Sequence, residues 1–211
     1  MERWLFPKRV AWEQWGGANL QTGDLVFTRG NYYVLLGAIN FSDFLSTVSA
    51  SPFSHVGIVA IEDGQAMVYD ISDAGLRSAP FAHYVTQSNF EQLAVRRPVP
   101  ELYAALPEVI RFVREKQAEG VAFDRRFGLG NDALYCSELI VEAFAAGGVT
   151  VAEPVPAGEL PGIGEVSPAM LELVQWTTGL ALSDAVYSIG NETSGLYGSR
   201  WFVECLPPTE L

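Results

Sequence analysis

Two apolar runs separated by a polar turn form the clearest pattern in the chain. Residues 55–61 are rich in β-branched side chains and are apolar on both faces of the strand that they would form, and residues 66–71 repeat this character. Residues 62–65, between them, include an Asp-Gly pair, which is typical of the tight turns of β-hairpins. The pattern therefore predicts a hairpin, and shorter apolar runs predict strands at residues 25–27 and 92–97.

Helical periodicity is found mainly in the second half of the chain. Residues 107–118 place apolar side chains on one face, with proline in the first turn and glycine just beyond the end. A second helix is predicted from about Leu134 to Gly147, and a third over residues 169–176, after a Ser-Pro pair. Weaker patterns predict a short helix and a loop within residues 40–54, and strands at residues 185–189 and 201–205.

The organisation of the chain indicates a single domain over residues 1–211. Hydrophobic residues make up 49% of the 211 positions, which is enough for one sizeable core. There is no internal repeat, no low-complexity tract and no long Pro/Ser-rich linker. The segment before residue 23 reads as polar, and no regular element is predicted there.

Acidic residues outnumber basic ones, with 25 Asp+Glu against 13 Lys+Arg and a net charge of -12. Phosphate backbones would on average repel such a chain, which argues against nucleic-acid binding. No apolar stretch approaches the roughly 18 residues of a membrane span, and the N-terminus lacks the apolar core of a signal peptide. We therefore expect a cytoplasmic protein without an integral membrane segment, or a periplasmic one if a leader has been removed.

Cysteine and histidine are scarce, with two of each in the chain. An all-cysteine zinc site is excluded, and we expect neither a metal nor a cofactor. Cys136 lies one or two residues inside the predicted second helix, where unpaired backbone N–H groups and the helix dipole stabilise a thiolate. This position also suits a small buried core residue, so the helix alone leaves both roles open.

The register of the predicted hairpin supplies a candidate base with an acidic partner. If the Asp-Gly pair occupies the two central turn positions, His55 lies opposite Ser72, and Asp70 lies on the same face as His55 and diagonally adjacent to it. A turn one residue longer or shorter would instead place Asp73 on that face. Asp70 is the preferred partner, and Asp73 is the alternative.

Thiol, imidazole and carboxylate are the parts of a Cys-His-Asp nucleophilic site, in which histidine takes the thiol proton and later protonates the leaving group. Periodicity brings His55 to Asp70, but nothing in it brings Cys136 to His55. The sequence pattern alone therefore predicts two halves of a site without predicting that they meet.

Four short motifs, in a particular order, resemble a known enzyme family. They are GDLVF at residues 23–27, SHVGIV at 54–59, VYD at 68–70 and YCSELI at 135–140. The set resembles the circularly permuted branch of the NlpC/P60 papain-like superfamily, the YiiX-type amidases, in which the cysteine helix follows the histidine strand. The resemblance implies an α+β fold, in which a small antiparallel sheet or half-barrel packs against helices that include the cysteine helix.

The resemblance also implies roles for individual residues. Cys136 would be the nucleophile, His55 the general base, and Asp70 the third member of the site. The family more often carries Glu or His at that third position, so Asp70 is a departure from its pattern. Candidate substrate-binding residues flank the catalytic pair, namely Ser54, Ser137 and Tyr135.

Three functions are compatible with these residues. The first is hydrolysis of an amide in a peptide-like substrate, such as a cell-wall peptide, through a thioacyl-enzyme. The second is an acyltransferase or thioesterase acting on lipid esters or amides, because the lecithin:retinol acyltransferase relatives share the permuted order. Apolar residues 32–36 and 41–45 would line a groove suited to an acyl chain. The third is a non-catalytic binding module, against which Cys136, His55 and Asp70 together argue.

A few other residues are predicted to serve the structure around the site. Glu138 is expected to cap the cysteine helix or to interact with its dipole. Phe123, Asp124 and Phe127 resemble the aromatic and aspartate lead-in of permuted members, which would wall the site. Cys205 is expected to be a buried core thiol, and Arg96 and Arg97 are expected to be solvated.

Overall fold

The computed structural model describes residues 2–30, 33–34, 39–87 and 90–210. In chain order the helices are α1 (Glu2–Asn19), α2 (Phe41–Val48), α3 (Phe81–Val85), α4 (Leu106–Glu119), α5 (Cys136–Ala146) and α6 (Pro168–Thr178). The strands are β1 (Leu25–Gly30), β2 (Tyr33–Val34), β3 (Ile39–Asn40), β4 (His55–Glu62), β5 (Gln65–Ser72), β6 (Gly75–Pro80), β7 (Phe90–Pro98), β8 (Val155–Pro156), β9 (Ala185–Val186) and β10 (Phe202–Glu210).

The strands β10-β7-β1-β4-β5-β6, in that order, form a six-stranded antiparallel sheet. The predicted hairpin is confirmed as β4 and β5, and its register is the predicted one, with Glu62 opposite Gln65 and Ile58 opposite Tyr69. The sheet and the helices packed on it confirm the predicted α+β fold. Strand β6 was not predicted, because its sequence, GLRSAP, lacks an alternating apolar pattern.

Both faces of the sheet are buried, which explains why its central strands are apolar on both sides. On one face, Phe27 and Ile58 belong to a core that includes side chains of α4 and α5. On the other face, Val26 and Val59 belong to a second core completed by Phe81 of α3 and by side chains of α1. The cysteine helix α5 is therefore held against one face of the strand that begins with His55.

The N-terminal segment is the largest difference from the sequence prediction. It was expected to be irregular and polar, but it forms helix α1. Trp12 and Trp15 of this helix pack against Phe81, with ring centroids 6.0 and 5.8 Å apart. Tertiary contact of the two indole rings thus stabilises a helix that has little amphipathic pattern of its own.

The paired arginines on β7 were expected to be solvated, and this prediction was wrong. Arg97 forms a bidentate pair with the fully buried Asp24, at 2.9 Å from Nε to Oδ1 and 2.8 Å from Nη2 to Oδ2. Arg96 donates to the carbonyl of Phe202 and lies over the ring of Tyr197. The Asp of the GDLVF motif therefore serves to join β1 to the neighbouring strand.

The C-terminal elements differ from the prediction in extent. β9 covers only two of the residues predicted at 185–189, whereas β10 extends through two prolines to Glu210. Proline is tolerated there because β10 is an edge strand and has an outer side that donates to no neighbour. Cys205, on β10, is partly exposed instead of lying in the core. No helix in the described part of the chain is long and apolar enough to cross a membrane.

Candidate active site

Cys136 is the first residue of α5, and its side chain is buried. Tyr135, which precedes it, has extended backbone angles and is the N-cap. Its backbone N–H donates to Oε2 of Glu138 at 3.3 Å, which confirms the predicted capping role of Glu138. Burial, opposed by that hydrogen bond, raises the pKa of Glu138 to about 7. The helix therefore begins at the cysteine, whose own backbone N–H lies in the first turn with no acceptor inside the helix.

His55 and Asp70 meet as the hairpin register predicts. His55 begins β4, its side chain is 19% exposed, and its Nε2 lies 3.1 Å from Oδ2 of Asp70 on β5. The carboxylate of Asp70 is almost fully buried. Because Nε2 faces the carboxylate, Nδ1 is the ring nitrogen that remains for the thiol.

The electrostatics of His55 link it to Cys136. Burial by itself lowers the pKa of His55, but the charge of Cys136 and hydrogen bonds with Asp70 and Cys136 outweigh it and raise the pKa to about 10. The imidazolium is therefore the favoured form of His55 near neutral pH, and it interacts with both Asp70 and Cys136. Packing of α5 against β4 thus joins the two halves of the site that periodicity left apart.

The structure distinguishes between the two candidate acids. Asp73 lies in the turn after β5 and pairs with Arg125, with 2.9 Å between Oδ1 and Nε. Asp70 contacts His55 and has a second partner, Arg77, whose Nε lies 3.3 Å from Oδ1. Sequence reasoning missed Arg77 because it lies on β6, directly opposite Asp70 in the register.

The three candidate substrate-binding residues are all buried and have partners within the protein. The Ser137 hydroxyl donates to the carbonyl of Tyr187 at 2.7 Å, and the Tyr135 hydroxyl accepts from the backbone N–H of Tyr187 at 2.6 Å. The backbone N–H of Ser54 donates to the carbonyl of Thr28 at 3.0 Å. Tyr135 and Ser137 therefore anchor the segment around Tyr187 beside the cysteine. Substrate contact by any of the three stays a prediction.

Two cavities meet at Cys136. One is lined almost entirely by apolar side chains from α2, α6 and the segments on either side of β9, among them Phe41, Phe44, Leu45, Leu171, Val174 and Val186. The predicted lining by residues 41–45 is thus observed for Phe41, Phe44 and Leu45, whereas residues 32, 35 and 36 of the predicted groove lie outside the described residues. The second cavity is more polar, and its lining includes Ser54, His55, Asp70, Asp73, Arg77 and Gln87.

Phe123 and Phe127 line the site, as the lead-in motif predicts. Phe127 borders both cavities, and its ring packs 5.3 Å from that of Tyr135 and 5.6 Å from that of Phe41, measured between centroids. Its backbone has a φ of 56°, a left-handed conformation that is unusual for a bulky residue. The buried carboxylate of Asp124 supports this loop by accepting from the backbone N–H groups of Arg126 and Gly128.

Comparison with known proteins identifies the family. The sequence matches the family described as permuted papain-like amidase enzymes, YaeF/YiiX, C92 family, over residues 19–160. The fold is similar to the crystal structure of the metalloprotein yiiX from Escherichia coli O157:H7, with a TM-score of 0.69 and 17% identity over 88% of this chain and 96% of that one. A search of curated proteins found no match.

The yiiX structure is described as that of a metalloprotein. Within residues 2–30, 33–34, 39–87 and 90–210, no three His, Cys, Asp or Glu side chains converge in a way that could hold a metal ion. The family match covers Asp24, the strands with His55 and Asp70, and the helix that Cys136 begins. The chain therefore belongs to the YaeF/YiiX family of permuted papain-like amidases, which are cysteine hydrolases.

Proposed function

We propose that this chain hydrolyses an amide bond through a thioacyl-enzyme on Cys136, with His55 as the proton carrier and Asp70 as its orienting partner. The observation that carries the proposal is the buried His55–Asp70 contact beside a cysteine at a helix N-terminus. Without the carboxylate, a largely buried imidazolium would be unstable, because burial alone lowers the pKa of His55.

The reaction follows from the positions of the groups. The Cys136 thiolate attacks the carbonyl carbon, and the backbone N–H of Cys136 stabilises the oxyanion. The His55 imidazolium then donates its proton to the leaving nitrogen, so that the amine departs and a thioester remains. In the second half, His55 takes a proton from water as the water attacks the thioester, and expulsion of the Cys136 sulfur releases a carboxylic acid and restores the thiolate–imidazolium pair.

The apolar cavity beside Cys136 supports a second candidate, the cleavage of lipid amides or esters. Aromatic and aliphatic side chains of α2 and α6, such as Phe44 and Val174, offer few hydrogen-bonding groups to a sugar or a polar peptide. Burying an acyl chain there contributes about 0.8 kcal/mol per CH₂ group. The cavity therefore favours a fatty acyl substrate over a cell-wall peptide, whereas the catalytic residues suit either.

The test is detection of the acyl-enzyme by intact mass after incubation with cell-wall peptides, N-acyl amides or acyl-lipid esters. We expect an adduct on Cys136, located by peptide mapping, that is absent from Cys136→Ala and unchanged in the matched control Cys205→Ala. A muropeptide adduct would select the peptide substrate, and a fatty acyl adduct the lipid one. Hydrolysis that persists in Cys136→Ala would refute the proposed mechanism.

A further inference from the structure

Asp70 is held from two sides. Its Oδ2 lies 3.1 Å from Nε2 of His55, and its Oδ1 lies 3.3 Å from Nε of Arg77. Arg77 stands directly opposite Asp70 in the pairing of β5 with β6. One carboxylate thus joins the catalytic histidine to an arginine on the neighbouring strand, and both of its oxygens are used.

We infer that Arg77 is a positioning residue of the active site, which holds the Asp70 carboxylate in the orientation that keeps Oδ2 on His55. The inference rests on the proposed function, because it assigns Arg77 a role in that reaction. The terminal torsion of an aspartate is soft, so a carboxylate with a single partner can rotate away from it. A second contact on the other oxygen removes that freedom.

Orientation is a better account of this contact than added stability. The side chain of Arg77 is 45% exposed, and ion pairs with so much access to solvent contribute little to the free energy of unfolding. The Asp70 side chain is only 2% exposed, so water is a poor substitute partner for its Oδ1. Without Arg77, the buried Oδ1 of Asp70 lacks its hydrogen-bond donor. The carboxylate then rotates towards another donor, and this rotation breaks the contact between Oδ2 and His55.

Two other titratable groups lie near His55 and Asp70, and each has to be compared with Arg77 as a partner of the Asp70 carboxylate. Cys136 of α5 interacts with His55 from one side. Tyr84 of α3 is fully buried, and burial, followed by the charge of Asp70, raises the pKa of its hydroxyl. Among these groups and Arg77, the arginine is the permanent cation. It therefore has an electrostatic role that neither the thiol nor the phenol can replace.

The chain offers a matched control on the same side of the site. Arg125 pairs with Asp73, which lines the same polar cavity as Asp70, and the Arg125 side chain is 75% exposed. Replacing either Arg77 or Arg125 by Gln removes one positive charge from the neighbourhood. Only the first substitution removes a contact with the carboxylate that touches His55.

The experiment compares Arg77→Gln, Arg77→Lys and Arg125→Gln by the ¹⁵N titration of the His55 ring and by steady-state kinetics. We expect Arg77→Gln to lower the His55 titration midpoint by about one pH unit and kcat roughly tenfold, with KM unchanged. Lysine keeps the charge but loses the planar guanidinium, so Arg77→Lys should be intermediate, and Arg125→Gln should match the wild type.

An unchanged or raised midpoint in a folded Arg77→Gln protein would overturn the inference, as would a rise in KM at constant kcat, which would mean contact with substrate. Should Arg77→Gln fail to fold, Arg77→Lys decides by the same two readouts. The titration needs no turnover. A wild type without Cys136-dependent activity would therefore refute the proposed function, while the midpoints would still decide whether Arg77 holds Asp70 on His55.

Discussion

The substitution Asp70→Asn removes the charge beside His55 while almost preserving the shape of the side chain. In the wild type, the pKa of His55 is raised from 6.5 to about 10, so at pH 8 the imidazolium should exceed the neutral ring by about a hundredfold. A carboxylate in contact accounts for about 1–3 pH units of such a difference. The midpoint in Asp70→Asn should therefore lie at about pH 7–9, and at pH 8 the two forms should be within about tenfold of each other.

The assay is a ¹H–¹⁵N titration of the imidazole rings from pH 5 to 11. The chain contains two histidines, and the exposed His83 on α3 supplies a second signal that should be the same in both proteins. Far-UV circular dichroism at each pH confirms that the fold persists. The charge of Cys136 also contributes to the raised pKa, so Cys136→Ala should lower the midpoint as well.

Two results would refute this reasoning. A wild-type His55 that titrates near 6.5 would mean that burial prevails over the interactions with Asp70 and Cys136. An Asp70→Asn midpoint within about 0.5 unit of the wild-type value would mean that the 3.1 Å contact does not stabilise the imidazolium. Either result would remove Asp70 from the proposed site and reopen the assignment of the third member, for which Asp73 is the alternative.

Three further predictions concern reactivity and stability. At pH 6–7, iodoacetamide should alkylate Cys136 at least tenfold faster than Cys205, whose pKa is raised by burial, and equal rates by peptide mapping would contradict an activated thiol. Gly57→Ala should destabilise the fold by about 1–3 kcal/mol in urea titrations, because the new methyl would lie 2.9 Å from a carbonyl oxygen of β5. Asp24→Asn should cost about 3 kcal/mol by leaving Arg97 without its buried counter-charge, and a loss below 1 kcal/mol would argue against a structural role for this pair.

The sequence predicted those parts of the structure that depend on neighbouring residues. The apolar periodicity and the Asp-Gly turn were sufficient for the β4–β5 hairpin and its register, because a two-residue turn fixes which residues face each other. The contact between His55 and Asp70 follows from that register alone. The start of α5 at Cys136 was predicted to within two residues, since helix caps are local signals.

Family resemblance supplied the step that periodicity could not. The order of the motifs indicated that the cysteine helix packs beside the histidine strand, and the family match over residues 19–160 confirms the permuted papain-like fold. No pattern within a window of ten or fifteen residues contains that information. It resides in the packing of α4 and α5 on one face of a sheet that is built from both ends of the chain.

Tertiary structure alone decided the remaining features. Arg77 reaches Asp70 only because β6, which has no strand-like pattern, pairs with β5, and the apolar cavity beside Cys136 is assembled from α2, α6 and the segments around β9. Helix α1 and the Asp24–Arg97 pair likewise depend on distant partners. The physical reason is the same in each case. Local sequence sets backbone conformation and facing side chains, whereas burial and ion pairing are determined by which segments meet when the core forms.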